Sequence, residues 1–359
     1  MSDFRTVRGF DTLWRPPAGG RKIVPKAPVI GAPSSRGGGG GGGGGGEGKA
    51  RLARVVQKAP EVMVKITGRT KDGEHLAAHL EYISRKGELD LEQSDGALIH
   101  GRDAVRELAD DWAEVGEGDS RRRSNSNMSV SVVLSMPIGT DPDRLKDAVR
   151  AFARAEFGDT FPYVFAFHQD AKGEQPHIHL SVRALGVKGE RLNPRKADLA
   201  DWRERFAREL RGRGIQAEAT PRRSRGITHK PERTSVRKAR ERFERTGKNE
   251  PRVLREARRD AEALARGGAR AQPWDEQMRL RQAEVRSTYQ AAARVLAASA
   301  DPVDKALARD VQAFVKAMPA PVSRKVAMAR QIAVEGQRAR PAEPGPERPG
   351  PDKGRGRSR

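Results

Sequence analysis

Three of the chain's seven histidines fall inside HQDAKGEQPHIHLSV, residues 168–182. In an extended strand alternate residues share a face. His177 and His179 therefore point one way, while Ile178, Leu180 and Val182 point the other. The preceding segment FPYVFAFH alternates as well. Phe161, Tyr163, Phe165 and Phe167 form an aromatic face fit for a core, and His168 joins Val164 and Ala166 opposite it. Paired as a hairpin across residues 169–176, the two strands bring His168 beside His177 and His179. Three imidazoles on one side of a sheet make a facial metal site with open positions, the arrangement that Lewis-acid chemistry needs. Asp170 is near enough in sequence to hydrogen-bond the second nitrogen of one of them. The competing reading is a hairpin with solvent-facing histidines, and the third histidine in register weighs against it.

A metal beside a nucleophile can perform group transfer, and with no cysteine in the chain a Cys nucleophile is excluded. Of the three tyrosines, Tyr163 lies on the aromatic face of its strand and Tyr289 on a helical stripe near the C-terminus. Tyr82 differs. It follows His75 by seven residues and His79 by three, so the three share one helix face, about 100° from the stripe of Leu76, Leu80 and Ile83. A phenol there sits at the edge of a core helix. The alternative is a partly buried tyrosine with no chemistry.

The elements that must hold these groups are legible from periodicity. EVMVKITGR alternates as a strand. KDGEHLAAHLEYISRKG is a helix ending in a basic last turn and a glycine. RDAVRELADDWAEVG is a second helix, through Val105, Leu108 and Trp112. MSVSVVLSMPIG is a strand with Met128, Val130, Val132 and Leu134 on one face. Asp141-Pro142 starts a helix running to about Phe157. NPRKADLADWRERFAREL is amphipathic through Leu199, Trp202, Phe206 and Leu210, and IQAEAT reads as a closing strand. This mixture predicts an α+β domain over 59–225, with a central, largely antiparallel sheet and flanking helices. Residues 1–58 read as a disordered leader without a core, carrying ten consecutive glycines at 37–46. Residues 226–340 read as a basic helical region whose thin apolar stripes pack loosely or against a partner. Residues 341–359, rich in Pro, Gly and Arg, read as a disordered tail.

Charge narrows the partner. Lys plus Arg number 70 against 48 acidic residues, a net charge of +22, which favours a polyanion. No stretch approaches the roughly 20 apolar residues of a membrane span, and the N-terminus lacks a secretory h-region. A cytoplasmic nucleic-acid protein without membrane insertion is the expectation. Arg121, Arg122 and Arg123, and Arg222, Arg223 and Arg225, are candidate phosphate contacts, with plain solvated surface as the alternative.

HLEYISRKG, followed by HQD and then PHIHLSV, resembles the single-tyrosine relaxases that mobilise plasmids, MOBP-like members of the His-hydrophobic-His endonuclease superfamily. The resemblance covers roughly 60–225, and the loop AKGEQP is longer than the family pattern. The histidine-triad nucleotide hydrolases fit less well, because Ser181 stands where a third alternate histidine belongs. The resemblance implies that His168, His177 and His179 hold a divalent metal, Mg²⁺ or Mn²⁺, with Zn²⁺ also suited to imidazoles. It implies that Tyr82 nicks one strand at an origin of transfer, leaving a 5′-phosphotyrosyl link and a free 3′-hydroxyl, and that the strand is later rejoined. A phenol ionises only near pH 10, so the metal, or His168 backed by Asp170, must help to take its proton. The implied partners are single-stranded origin-of-transfer DNA, an auxiliary relaxosome protein and a type IV coupling protein. The implied setting is the bacterial cytoplasm, with export alongside the strand; GRGRSR resembles C-terminal export signals of type IV secretion. A rolling-circle replication initiator and a non-enzymatic DNA-binding scaffold are the competing functions.

Overall fold

A computed structural model of the chain describes residues 4, 7–14, 44–169, 175–228, 232–267 and 273–338. In chain order the described elements begin with α1 (Phe10–Trp14), α2 (Gly44–Val56), β1 (Met63–Thr70), α3 (Gly73–Ile83), β2 (Leu91–Gln93), β3 (Leu98–Ile99) and α4 (Arg102–Glu117). They continue through β4 (Ser129–Ser135), α5 (Pro142–Glu156), β5 (Tyr163–His168), β6 (His177–Arg183) and α6 (Lys196–Gly212). The C-terminal part is helical: α7 (Thr234–Thr246), α8 (Arg252–Ala265), α9 (Pro273–Ala297), α10 (Pro302–Ala317) and α11 (Arg324–Arg338).

The strands form one sheet in the order β1-β4-β6-β5-β2-β3, every neighbouring pair antiparallel. The α+β class with a central antiparallel sheet is thus what the chain adopts. Period-two alternation sends its two sets of side chains to two separate cores. Val130, Val132, Leu134, Ile178, Leu180, Val182, Tyr163 and Phe165 face α5 and α6, where Phe152, Trp202, Phe206 and Leu210 cover them. Val164 and Ala166 face the other way, onto Leu76, Leu80 and Ile83 of α3 and Val105, Leu108 and Trp112 of α4. Each such fully buried large side chain contributes about 1.5–3 kcal/mol. Met128 joins the α3–α4 core rather than the face of Val130, because regular pairing starts one residue later, at Ser129.

Capping sets the helix starts. Asp141 accepts hydrogen bonds from the backbone N–H groups of Asp143 and Arg144, both at 3.0 Å, with Pro142 in the first turn. Asp72 caps α3 by accepting from His75 N at 2.8 Å. The exit from α3 is unusual. Arg85, Lys86 and Gly87 follow one another at φ 52°, 59° and 88°, all left-handed. They turn the chain so tightly that a Cβ on Gly87 would lie 2.3 Å from the backbone nitrogen of Arg102.

Several expectations are corrected. Residues 44–56, inside the stretch read as a coreless leader, form α2 with Leu52 and Val55 fully buried. Arg51 and Arg54 on α2 reach the buried carboxylate of Glu218, at 3.2 and 2.7 Å. IQAEAT is not a strand; it contributes an isolated parallel bridge, Glu61 with Glu218. The short hairpin β2–β3 was not foreseen, since strands this short carry no measurable alternation. The thin stripes of α9 and α10 are not loose: Tyr289, Ala292, Ala293, Leu296, Leu307 and Val311 are buried.

The chain divides into two compact units. The first comprises residues 1–225 and 286–318 and holds the sheet. The second comprises 226–285 and 319–359; within it α8 packs on α11, and Lys325 pairs with Asp260 at 3.2 Å. No helix among the described residues is long and apolar enough to cross a membrane.

Candidate metal and nucleophile site

The hairpin β5–β6 pairs His168 with His177 and Ala166 with His179. That register sets the three imidazoles on one face, with ring centroids 5.4 Å (His168–His177), 4.6 Å (His168–His179) and 5.1 Å (His177–His179) apart. One nitrogen from each lies within 4.8 Å of the others. His168 is buried, while His177 and His179 are half-buried.

The outer nitrogens are fixed by backbone. His168 Nε2 donates to the carbonyl of Ile83 at 2.6 Å, which leaves Nδ1 with its lone pair. His177 Nδ1 donates to the carbonyl of Gln175 at 3.1 Å, leaving Nε2. Backbone carbonyls bonded to the far side of a histidine are a usual support for a metal ligand. Burial pushes the ionisation of His168 below the ordinary imidazole range; the neighbouring His177 and Arg85 add to the effect, against the Ile83 hydrogen bond. His179 is pushed down to about 4 by burial and then by His168, His177 and His79. Both rings are neutral at neutral pH, the state that binds a cation. The residues present fit a divalent ion.

Tyr82 comes from the last turn of α3. Its ring stands edge-on to that of His179, centroids 5.8 Å apart and planes at 88°, and its side is 66% exposed. Ile83, whose carbonyl holds His168, is the next residue. The helix end that carries the phenol is thus bonded to the histidine cluster. The other two tyrosines are buried: Tyr163 in the core under α5 and α6, and Tyr289 donating to the carbonyl of Ser224 at 2.8 Å.

Sequence reasoning missed the supports. His79 sits one turn before Tyr82 and shares a 2.8 Å hydrogen bond with Ser131 Oγ on β4, and burial pushes its ionisation down. Glu81 takes Arg102 and Arg106 at 3.2 and 2.6 Å, tying α3 to α4. Both partners lie too far along the chain for local spacing to reveal them. His75 is engaged elsewhere, with Asp72 at 2.7 Å. Asp170 lies outside the described residues.

The arginine runs are largely occupied by the fold itself. Arg121 bonds Asp119 at 3.1 Å and the Gly189 carbonyl at 3.0 Å, and Arg122 bonds the Lys71 carbonyl at 2.7 Å. Arg223 holds the Thr12 carbonyl at 2.7 Å, and Arg225 pairs with Glu61 at 2.5 Å. Arg123 and Arg222 are exposed.

Comparison with known proteins finds relatives over about half of the chain. The chain is 31% identical over 189 residues to the T-DNA border endonuclease VirD2 of Rhizobium radiobacter, covering 48% of this chain and 44% of that protein. It is 30% identical over 189 residues to the proteins of the same name from Agrobacterium fabrum and Rhizobium rhizogenes, covering 48% of this chain and 42% and 43% of theirs. The chain thus spans less than half the length of these relatives. A solved structure titled "Molecular Basis of Vancomycin Resistance Transfer in Staphylococcus aureus" aligns with 45% of this chain at 14% identity and a TM-score of 0.34, too distant to support a reading. Residues 82–214, from the exposed tyrosine through both histidine strands to the end of α6, match the relaxase family described as MobA/VirD2-like, nuclease domain, and in this segment the chain resembles that family.

Proposed function

We propose that the chain is a relaxase, a site- and strand-specific DNA endonuclease that nicks a single strand at an origin of transfer and later rejoins it. The observation that carries this is the placement of Tyr82, exposed and edge-on to His179, on a helix end bonded to His168. The matched family and the VirD2 relatives support the same reading.

Tyr82 Oη attacks phosphorus, the bond to O3′ breaks, and the products are a 5′-phosphotyrosyl link and a free 3′-hydroxyl. Bound at His168, His177 and His179, a divalent ion (Mg²⁺ or Mn²⁺, with Zn²⁺ an alternative) supplies Lewis-acid stabilisation of charge on a non-bridging phosphate oxygen. His168 has Nε2 committed to Ile83 and Nδ1 facing the cluster, so it holds geometry rather than taking the phenol's proton. Exposure gives that proton a direct path to solvent. The phosphotyrosyl bond conserves the energy of the cut strand, so attack by the 3′-hydroxyl reverses the step.

On this reading residues 59–225 are the nuclease region, 226–340 a basic helical region for DNA or an auxiliary relaxosome protein, and 341–359 an export signal read by a type IV coupling protein. The protein acts in the bacterial cytoplasm and leaves with the strand.

The test is incubation with single-stranded oligonucleotides tiling the origin of transfer, with Mn²⁺ or Mg²⁺, followed by a denaturing gel. A protein–DNA adduct is expected from the wild type and none from Tyr82→Phe. An adduct that persists in Tyr82→Phe removes Tyr82 as nucleophile. Binding without any adduct makes the chain a DNA-binding scaffold.

A further inference from the structure

At the far end of β6 from the histidines, the structure holds a cavity of about 470 Å³ lined by Arg121, Arg123, Asn125, Asn127, Arg191 and Asn193, together with Ser126, Ala184 and Leu192. We propose that this cavity is a subsite for one nucleotide of the bound DNA strand, its phosphate held by Arg123 and its base edge read by Asn127 and Asn193. The inference rests on the DNA-strand reading above and extends it to a second, distant contact.

The lining is what a nucleotide needs. Its volume falls within the roughly 300–1,000 Å³ of small-ligand pockets. It contains three guanidiniums and no carboxylate. Asp119, behind it, is engaged by both Arg121 and Arg191. That pairing fixes those two arginines and leaves Arg123 as the available charge: among the described residues its guanidinium has no hydrogen bond or ion pair, and it is exposed. The Asn127 and Asn193 amides are likewise unpartnered among the described residues, whereas Asn125 accepts from Lys71 at 3.3 Å. An amide offers both donors and an acceptor, which suits a base edge, and a guanidinium suits phosphate. A bare anion would leave the amides unused. A protein partner would want an aromatic or large apolar anchor, and the lining offers Ala184 and Leu192 alone. No aromatic ring is available for stacking, so recognition is by the edge of the base.

The position suits a strand that also reaches the histidines. β4 pairs Ser135 with His177 at one end and Ser129 with Arg183 at the other. Ala184 lies five residues past His179, roughly 17 Å at about 3.3 Å per residue. A strand crossing the sheet would meet the cavity a few nucleotides from the bond to be cut, where a base contact adds sequence preference without disturbing the chemistry.

The experiment is fluorescence polarisation of labelled single-stranded homopolymers (oligo-dA, oligo-dC and oligo-dT) with the full chain in EDTA. Wild type, Arg123→Ala, Arg123→Lys and the double variant Asn127→Ala, Asn193→Ala are compared at several salt concentrations. Arg123→Ala should weaken binding to every probe by on the order of tenfold and lower the salt slope by about 0.7. Arg123→Lys should retain most of the slope. The asparagine double variant should compress the spread of affinities among the probes. Variants that all stay within about twofold of wild type, with unchanged slopes, overturn the subsite. Weakening in Arg123→Ala with the spread intact in the asparagine variant overturns the base-reading part. A wild type that binds no probe overturns this inference, while the relaxase reading stands or falls separately on adduct formation with the origin oligonucleotides. Because metal is absent, loss of nicking alone does not touch this result.

Discussion

At the residue scale, the His168–Ile83 hydrogen bond is the contact that makes the site a unit. It fixes the ring's tautomer, and it fastens the turn that carries Tyr82 to the sheet. The histidine cluster predicts a metal-dependent gain of stability. After chelation, Mn²⁺ at a hundredfold excess over its Kd should stabilise the wild type by about 2.7 kcal/mol, read as a rise in Tm. His179→Ala should lose most of that rise, and an equal rise in His179→Ala would place the ion elsewhere. Three histidines and the tyrosine were legible in the sequence, because alternate strand positions share a face whatever the tertiary context. The carbonyls of Ile83 and Gln175, and Ser131 beside His79, were not. Backbone acceptors have no sequence signature, and the Ser131 contact spans 52 residues.

At the element scale, the left-handed run after α3 sets how the chain leaves the helix that carries Tyr82. Non-glycine residues in this region cost about 1–3 kcal/mol each, and Arg85 and Lys86 both sit in it. Backbone bonds hold the turn: Lys86 N donates to Glu81 O at 2.7 Å and Leu89 N to Ser84 O at 2.9 Å. Gly87 alone permits the approach to α4. Gly87→Ala, with its Cβ driven against Arg102, should cost on the order of 3 kcal/mol. Chemical denaturation measures that cost, and adduct formation should fall further than the unfolded fraction explains, because the exit of α3 must shift. A Gly87→Ala protein as stable as wild type would mean that the turn relaxes freely. The helix, its apolar stripe and its terminal glycine were readable beforehand from periodicity and stop signals. The tight turn was not, since only contact with Gly101 and Arg102 demands it.

At the scale of the whole molecule, α2 is fastened to the sheet-bearing unit by a buried carboxylate. Glu218 is fully buried, with Arg51 and Arg54 against it and Arg211 at 3.8 Å. Burial pushes its ionisation up. The Arg54 and Ala219 hydrogen bonds and the Arg51 and Arg54 charges outweigh that, so its carboxyl stays below the usual range. A group depressed in the folded state stabilises above its unfolded pKa and loses that contribution as pH falls through the folded value. Wild type should therefore lose more Tm than Glu218→Gln between pH 6 and pH 3. At pH 7 Glu218→Gln should be less stable by about 2 kcal/mol, because the half-buried Arg51 and Arg54 lose their shared buried carboxylate, although each keeps a second partner, Glu204 and Glu47. Parallel pH profiles for the two proteins would remove Glu218 from the acid response. None of this was visible in composition, where Gly44–Val56 begins inside the run of glycines at 37–46 and lies in the stretch read as a leader without a core.

The sequence by itself determined the alternating faces, the helix stripes and caps, the excess positive charge and the order of the chemistry-bearing residues. Each of these depends on neighbours within a turn or a strand. Tertiary structure alone decided that α3 delivers Tyr82 to the histidines, that α2 belongs to the core, and which arginines are consumed by the fold. Those outcomes depend on contacts between segments far apart in the chain, where the free energy of burial and of pairing charges, rather than local periodicity, selects the partner.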